Sequence, residues 1–344
     1  MINQVKQIVS TVWLENTLRT AGLIVKADRI LSYEIQPLAL VDFQVVYTFI
    51  INMKIAGPTK SPPQSIVLKL AKGQKEYYFF TQLAPQMKMH QLMVCHYGEL
   101  IDDGNMAILL LEDLSKSHTQ PQWPIPPSEK QCMDAAGCLA KFHAYWWDHT
   151  DLPQLLEISR QRTHWLQRME LALENIEAFV TFLDDRLSPA RKQILQRIFS
   201  SKNRAWLPEQ TLHGRTLLHG DAHFWNFLFD NNDKTANIKL FDWNSWNIGR
   251  PTDDLAYMIG LHWYAEHKQL MEEKILRFYH EQLLADGAAY TWENLLEDYR
   301  LSTVVSLLIP VWQWQHGINA AVWWGHLERG FQAFEQWECI EILE

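Results

Sequence analysis

The sequence predicts an α+β protein, with a strand-bearing N-terminal part followed by a longer helical part. Three observations carry this. Val- and Ile-rich runs of strand length occur at Phe43–Met53, Ser65–Leu70 and Ile108–Leu111, and β-branched residues suit the pleated surface of a sheet. Four prolines punctuate Ser117–Ser128 (SHTQPQWPIPPS). Beyond that segment, apolar residues recur at helical spacing. The expected organisation is an N-terminal lobe over residues 1–112, a hinge and linker over 113–128, and a helical C-terminal lobe over 129–344.

Each element has a local reason. Ala56–Pro63 (AGPTKSPP) is a turn between the first two apolar runs, because Gly and Pro favour chain reversal over continued pairing. Ser128 with Gln131 fits a capping box, in which the two side chains satisfy free amides at a helix start. Cys132, Ala135, Ala136, Leu139, Phe142, His143 and Trp146 then mark one apolar face. His143 on that face reads as a hydrogen-bonded core histidine. Further helices are expected within residues 155–200 and 252–340. Phe227–Asp230 and Asn237–Phe241 flank the polar segment NNDKTA and predict a hairpin.

Composition excludes several function classes. The chain has 344 residues and a formal net charge of -9. It shows no basic stripe of the kind that neutralises nucleic-acid phosphates, so no nucleic-acid partner is expected. The apolar stretch Val304–Trp324 contains Pro310, Gln313, Gln315, His316 and Asn319. Such polar groups fit buried helices of a core better than a bilayer span. Cys95, Cys132, Cys138 and Cys339 form no CxxC pair and read as reduced, mostly buried thiols. The N-terminus has no charged segment followed by a long apolar run. A cytoplasmic protein is expected.

The chemistry concentrates in His219–Leu255. Asp221 precedes Asn226 by five residues, and Asp242 follows in FDWN. A carboxylate can accept a hydroxyl proton, and hard oxygen ligands suit Mg²⁺. The Asp-to-Asn interval equals that of a kinase catalytic loop. If the hairpin turn centres near Lys234, Asn226 and Asp242 face each other, with Cα atoms about 4.5–5.5 Å apart. Upstream, Lys69 lies inside the strand candidate SIVLKL and Glu76 lies in KEYYFF, a helix start. A strand lysine held by a helix glutamate positions nucleotide phosphates in kinases. Ile108–Leu114 (ILLLEDL) would present backbone groups to an adenine edge.

Together these residues resemble the aminoglycoside phosphotransferase and choline kinase-like family, and within it the ecdysteroid kinase-like group most of all. The resemblance rests on VLK at Val67–Lys69, KEYYFFTQLAP, LLLEDL at Leu109–Leu114, LAKFHAYWW, HGDAHFWN at His219–Asn226 and FDWNSWNIGRPTDDLA at Phe241–Ala256. It spans about residues 65–260, and HGDxxxxN followed by DW and DLA is its most specific part. It implies a protein-kinase-like two-lobe fold, with an antiparallel sheet in the N-terminal lobe and a larger helical C-terminal lobe. It implies ATP and Mg²⁺, Asp221 as catalytic base, and Asn226 and Asp242 as metal ligands. It implies Lys69 on the phosphates with Glu76 as its partner, and nucleotide contacts at Leu111, Glu112 and Leu114. Asp254 is expected to cap a helix. One departure is Pro37–Tyr47 (PLALVDFQVVY), where family members often carry a Gly- or Ser-rich phosphate loop and this chain has no glycine.

The expected activity is phosphorylation of a hydroxyl group on a small molecule. Trp312, Trp314, Trp323 and Trp324 are candidates for lining the acceptor pocket. Their faces attract cations, which favours a cationic or ring-containing acceptor over an anionic one. Two other readings exist. The glycine-free loop is consistent with a non-catalytic nucleotide-binding protein. His219, Asp221 and His223 alternate as in a transition-metal hydrolase, with His219 otherwise a brace for the loop and His223 a packing residue.

Overall fold

A computed structural model describes every residue except 1–4, 7, 39–47, 73, 88, 102–105, 123, 162–164, 203, 208–212 and 233–236. The chain forms two compact units. One comprises Met1–Thr119 and Asp230–Asn244, the other Gln120–Phe229 and Ser245–Glu344.

In the first unit, five strands form one antiparallel sheet. They are β1 (Arg29–Pro37), β2 (Thr48–Ala56), β3 (Ser65–Lys72), β4 (His96–Ile101) and β5 (Met106–Glu112), in the order β1-β2-β3-β5-β4. Period-two alternation decides the faces. Ile66, Leu68 and Leu70 of β3 point into a core with Phe49, Ile51, Ile108 and Leu110, which also takes Leu14 and Leu18 of helix α1 (Thr11–Thr20). Val67 and Lys69 therefore face the other way. Lys69 pairs across the sheet with Thr48 and with Leu109.

The strands expected near Ser65 and Ile108 form, each slightly longer than read. The expected strand Phe43–Met53 is described only from Thr48, and it runs on to Ala56. Residues 39–47 of the glycine-free segment lie outside the described residues. Pro37 is the last residue of β1 and pairs with Phe49.

The second unit is mainly helical. Ser128 caps the helix Glu129–Tyr145 as expected, accepting from the Gln131 amide while the Gln131 side chain accepts from the Ser128 amide. All seven apolar-face residues named above are buried. Four shorter helices follow, Leu152–Gln161, Trp165–Glu174, Ile176–Leu183 and Pro189–Ser200. After the segment that carries Asp221, Asn226 and Asp242 come Pro251–Leu255, Ala265–Ala285, Trp292–Ser306, Leu308–Gln315 and Ala320–Gln336. The apolar stretch Val304–Trp324 is divided among the last three of these. No described helix is long and apolar enough to cross a membrane. Three of the four cysteines are buried, Cys95 is exposed, and all four are free thiols.

The expected hairpin strand Phe227–Asp230 forms, and Lys239–Leu240 forms within the expected Asn237–Phe241. The register argument fails, because neither metal-ligand candidate lies in a strand. Asn226 ends a 3₁₀ turn (Phe224–Asn226), and Asp242 has φ +66.

Leu139 and Ser128 allow the helix Glu129–Tyr145 to be tested from its core and from its cap. Leu139→Ala is expected to cost about 2–5 kcal/mol, and Ser128→Ala about 0.5–2 kcal/mol. Urea denaturation of both variants would compare them. A loss at Leu139 no larger than that at Ser128 would show that the helix face is not tightly packed.

Candidate active site

The first unit assembles an ion cluster around Lys69. The Lys69 ammonium lies 2.8 Å from Glu76 and 2.8 Å from Asp242 Oδ1. Glu76 is fully buried, whereas the Asp242 side chain is 37% exposed. Burial lowers the Lys69 pKa, but Asp242 and Glu76 outweigh it and hold the ammonium above its ordinary range. Burial raises the Glu76 pKa, against the pull of Lys69. The seven-residue interval from Lys69 to Glu76 suffices because a helix begins at Lys75, close after β3.

Asp242 reaches this cluster because its neighbour is anchored. The Trp243 ring stacks on Phe79 with centroids 3.8 Å apart, and its amide donates to Glu76 Oε1 at 3.2 Å. The left-handed backbone at Asp242 turns the carboxylate toward Lys69 while Trp243 remains buried. The Asn244 side-chain amide donates to Asp242 Oδ1 at 3.0 Å. Its own Oδ1 is buried without a hydrogen-bond partner among the described residues. Sequence reading gave Asn244 no role, although its place two residues after Asp242 was the available signal.

The adenine-edge candidates lie at the end of β5. Leu111 and Leu114 are buried and Glu112 is partly buried. Two of the backbone groups in this stretch are engaged: the Glu112 amide donates to Cys95 O at 2.9 Å, and Leu114 O accepts from Ser117 and His118.

In the second unit, Asp221 and Asn226 come together. Asn226 Nδ2 donates to Asp221 O at 2.8 Å and to Asp221 Oδ2 at 3.2 Å. This turns the Asn226 carbonyl oxygen away from Asp221. The Tyr257 hydroxyl donates to Asp221 Oδ1 at 2.7 Å. Burial and the Asp221 carboxylate push the Tyr257 pKa well above its usual value, so it remains a donor. Tyr257 was missed in the sequence. Its place directly after DLA gives no chemical signal until the chain folds it back onto Asp221.

Asp254 shapes the segment around Asp221. Its Oδ2 accepts from the His219 amide and its Oδ1 from the Gly220 amide, both at 2.8 Å. His143 Nε2 lies 3.1 Å from Asp254 Oδ2, and His143 Nδ1 is 2.7 Å from the Tyr279 hydroxyl. Asp254 is thus structural, as expected, but it is not a helix cap. The helix Pro251–Leu255 starts at Arg250 with no side-chain cap, and Asp254 lies inside it. Gly220 has φ +77, and a Cβ there would meet Ser245 O at 2.1 Å, so this position demands glycine.

His219 is buried, and its Nδ1 accepts from the Asp221 amide at 3.3 Å. His223 packs against Trp225, Tyr257 and His262, with Nε2 3.6 Å from Asp221 Oδ2. No group of three or more His, Cys, Asp or Glu among the described residues could hold a metal ion. The HxDxH alternation therefore does not assemble a transition-metal hydrolase site there.

The candidate acceptor-pocket tryptophans are mostly occupied by protein. Trp314 and Trp323 pack on Phe179 and Phe182, and Trp324 packs on Trp323. The Trp312 face carries the Arg168 guanidinium, 4.9 Å from its centroid.

Two buried histidines, His262 against Tyr257 and His326 against His262, make stability depend on acid. Burial, joined by Arg329 and His223, holds His326 down to about 3. Burial likewise pulls His262 well below its usual value, and its Nδ1 lies 2.8 Å from Tyr257 O. An unfolded histidine takes its proton near pH 6.5, where these folded ones do not. Their contribution is present above that pH and is lost as the pH falls toward 3, by up to about 1.4 kcal/mol per pH unit per group. Urea unfolding at pH 7, 6 and 5 should show this slope, and His326→Gln should reduce it. An unchanged slope would place the acid sensitivity elsewhere.

The family model for the ecdysteroid kinase-like family matches residues 53–288. Solved structures with a similar fold include three bacterial enzymes or enzyme-like proteins. An aminoglycoside-phosphotransferase-like protein from Ralstonia eutropha JMP134 has a TM-score of 0.56 at 15% identity, covering 97% of this chain and 98% of its own. The choline kinase LicA from Streptococcus pneumoniae has a TM-score of 0.50 at 15% identity, covering 97% and 99%. A choline/ethanolamine kinase family protein from Mesorhizobium loti has a TM-score of 0.51 at 13% identity, covering 90% and 91%. No sequence among the curated proteins matches closely. At these identities the likeness shows the fold, which is the α+β, protein-kinase-like fold of small-molecule phosphotransferases. The match over most of the chain, with the HGD, DW and DLA segments inside it, establishes that the protein belongs to the ecdysteroid kinase-like family.

Proposed function

We propose that the protein uses ATP and Mg²⁺ to phosphorylate a hydroxyl group of a small molecule. The observation that carries this reading is the Lys69 ammonium gripped by buried Glu76 and by Asp242. A lysine held rigidly in this way keeps its charge and position for phosphate oxygens. Residues 1–112 act as the nucleotide-binding lobe, with 113–128 as hinge and 129–344 as the lobe for catalysis and the acceptor. The segment Asp230–Asn244 returns to the first unit and brings Asp242 to Lys69.

The donor set fits a hard cation. Asp242 offers a half-exposed carboxylate, and the Asn226 carbonyl oxygen is turned away from Asp221. The unpartnered Asn244 Oδ1 is a further oxygen beside Asp242. Carboxylate and amide oxygens are what Mg²⁺ prefers, and bound Mg²⁺ would neutralise the triphosphate. Backbone at Leu111, Glu112 and Leu114 would hold the base.

Asp221 is the catalytic base. Tyr257 and Asn226 fix its two oxygens, so the carboxylate meets the acceptor hydroxyl already oriented. It takes the hydroxyl proton as the acceptor oxygen bonds to the γ-phosphorus. The bond from that phosphorus to its bridging oxygen breaks, and ADP leaves with the electron pair. General-base help of this kind is worth about 10²–10⁴ in rate.

Thermal unfolding with MgATP, ATP plus chelator, and Mg²⁺ alone tests the reading. At a hundredfold excess over its dissociation constant, MgATP should stabilise the folded state by about 2.7 kcal/mol, and Asp242→Ala should abolish this. Asp221→Asn should keep the stabilisation and lose turnover. A wild-type protein unmoved by millimolar MgATP would end the phosphotransferase reading.

A further inference from the structure

Arg168 lies on the helix Trp165–Glu174, partly buried, with its guanidinium over the Trp312 ring. Among the described residues it makes neither a hydrogen bond nor an ion pair. Its neighbours on both helices lead toward Tyr257, which holds the candidate base. Trp165, one turn earlier on the same helix, lines a small cavity with Gly220, Tyr257 and Ile309. Trp312, which supports Arg168, lies one turn beyond Ile309 on the facing helix. Asp221 and Tyr257 act on Arg168 through space, whereas burial works against its charge. Both Asp221 oxygens are already held by Tyr257 and Asn226.

A guanidinium presents five N–H donors in a rigid plane and does not lose its proton in proteins. Its N–H groups have no hydrogen-bond partner among the described residues, which leaves them available to a bound anion. Its place over the Trp312 ring restrains the guanidinium, and a guanidinium suits two-pronged recognition of carboxylate, sulfate or phosphate oxygens. The same stacking occupies the tryptophan face that a cationic acceptor would otherwise use.

We infer that Arg168 is the acceptor-recognition residue, and that the acceptor is a hydroxy compound bearing an anionic oxygen group beside the hydroxyl to be phosphorylated. This rests on the phosphotransferase reading for its biological meaning, but anion recognition itself can be measured without nucleotide. The shared chemistry, an anionic oxygen group, could also come from the transferred phosphoryl group, and the experiment separates the two sources.

The experiment titrates the full chain with glucuronate, with glucose and, separately, with MgATP at constant ionic strength, following binding by calorimetry. Wild type, Arg168→Gln, Arg168→Lys and Lys69→Met are compared, with circular dichroism to confirm folding. Wild type should bind glucuronate about tenfold or more tighter than glucose, equivalent to about 1.4 kcal/mol. Arg168→Gln should erase that preference and Lys69→Met should keep it. Arg168→Lys, which retains charge and stem without the fork, should keep only part of it. A wild type without preference for the anion would overturn the inference, as would a preference that survives Arg168→Gln. If Arg168→Gln instead weakens MgATP and leaves the sugar preference intact, Arg168 serves the phosphoryl group and the acceptor assignment falls. Failure of wild type to bind MgATP would sink the phosphotransferase reading whatever the sugars show.

Discussion

The site in the first unit depends on one ammonium held between two carboxylates. Lys69 could not remain charged where it lies without Asp242 and Glu76, because burial alone would drive it toward the neutral amine. Glu76 in turn is fully buried and needs Lys69 to be tolerated as an anion. Breaking a buried pair by deleting one partner is costly, typically about 3–5 kcal/mol, because the survivor is left uncompensated. The cluster therefore fixes three elements at once: strand β3, the helix start at Lys75 and the segment around Asp242. With both carboxylates ionised, it carries one more negative charge than positive. The excess belongs to Asp242, the more exposed partner, which is the one that can turn to another cation.

The second unit solves a different problem. The proposed base, Asp221, must point one way without help from a regular element, since it lies in a loop between a short strand and a 3₁₀ turn. Asp254 gathers the His219 and Gly220 amides, and Gly220 accepts a conformation that a side chain would forbid. Tyr257 lies three residues after Asp254, so the same stretch that shapes the loop also orients the carboxylate. Burial keeps the tyrosine protonated, which makes the orientation insensitive to pH across the ordinary range.

Much of this could be read from the chain alone. The strands around Lys69, the capped helix at Ser128 and the buried face from Cys132 to Trp146 follow from periodicity and local chemistry. The pairing of Lys69 with Glu76 is legible too, since a lysine inside a strand is odd without a partner, but the contact of Asp242 with Lys69 needed the fold. Other features needed the fold. The hairpin register was drawn for two paired strands, yet Asn226 and Asp242 both lie beyond strand ends, where alternation gives no rule. Asp254 looked like a cap because acidic residues suit helix starts, but its partners are about 35 residues upstream. Tyr257, Asn244 and Arg168 carry no motif of their own. Tyr257 and Arg168 are placed by long-range packing, to which composition and spacing are blind, whereas Asn244 acts on Asp242 only two residues away.

The span of Asp254's contacts has a consequence for how the protein is made. Its carboxylate joins His143, the His219–Gly220 amides and its own helix, segments separated by 111 and 34–35 positions along the chain. Closing such loops costs entropy that only the finished contacts repay. A chain still being synthesised can form the helix around His143, but it cannot shape the loop around Asp221 until residue 254 has emerged. The loop around Asp221 therefore takes its shape only once residue 254 is available. A nascent chain that ends before it would carry the HGD segment without the contacts that set its geometry.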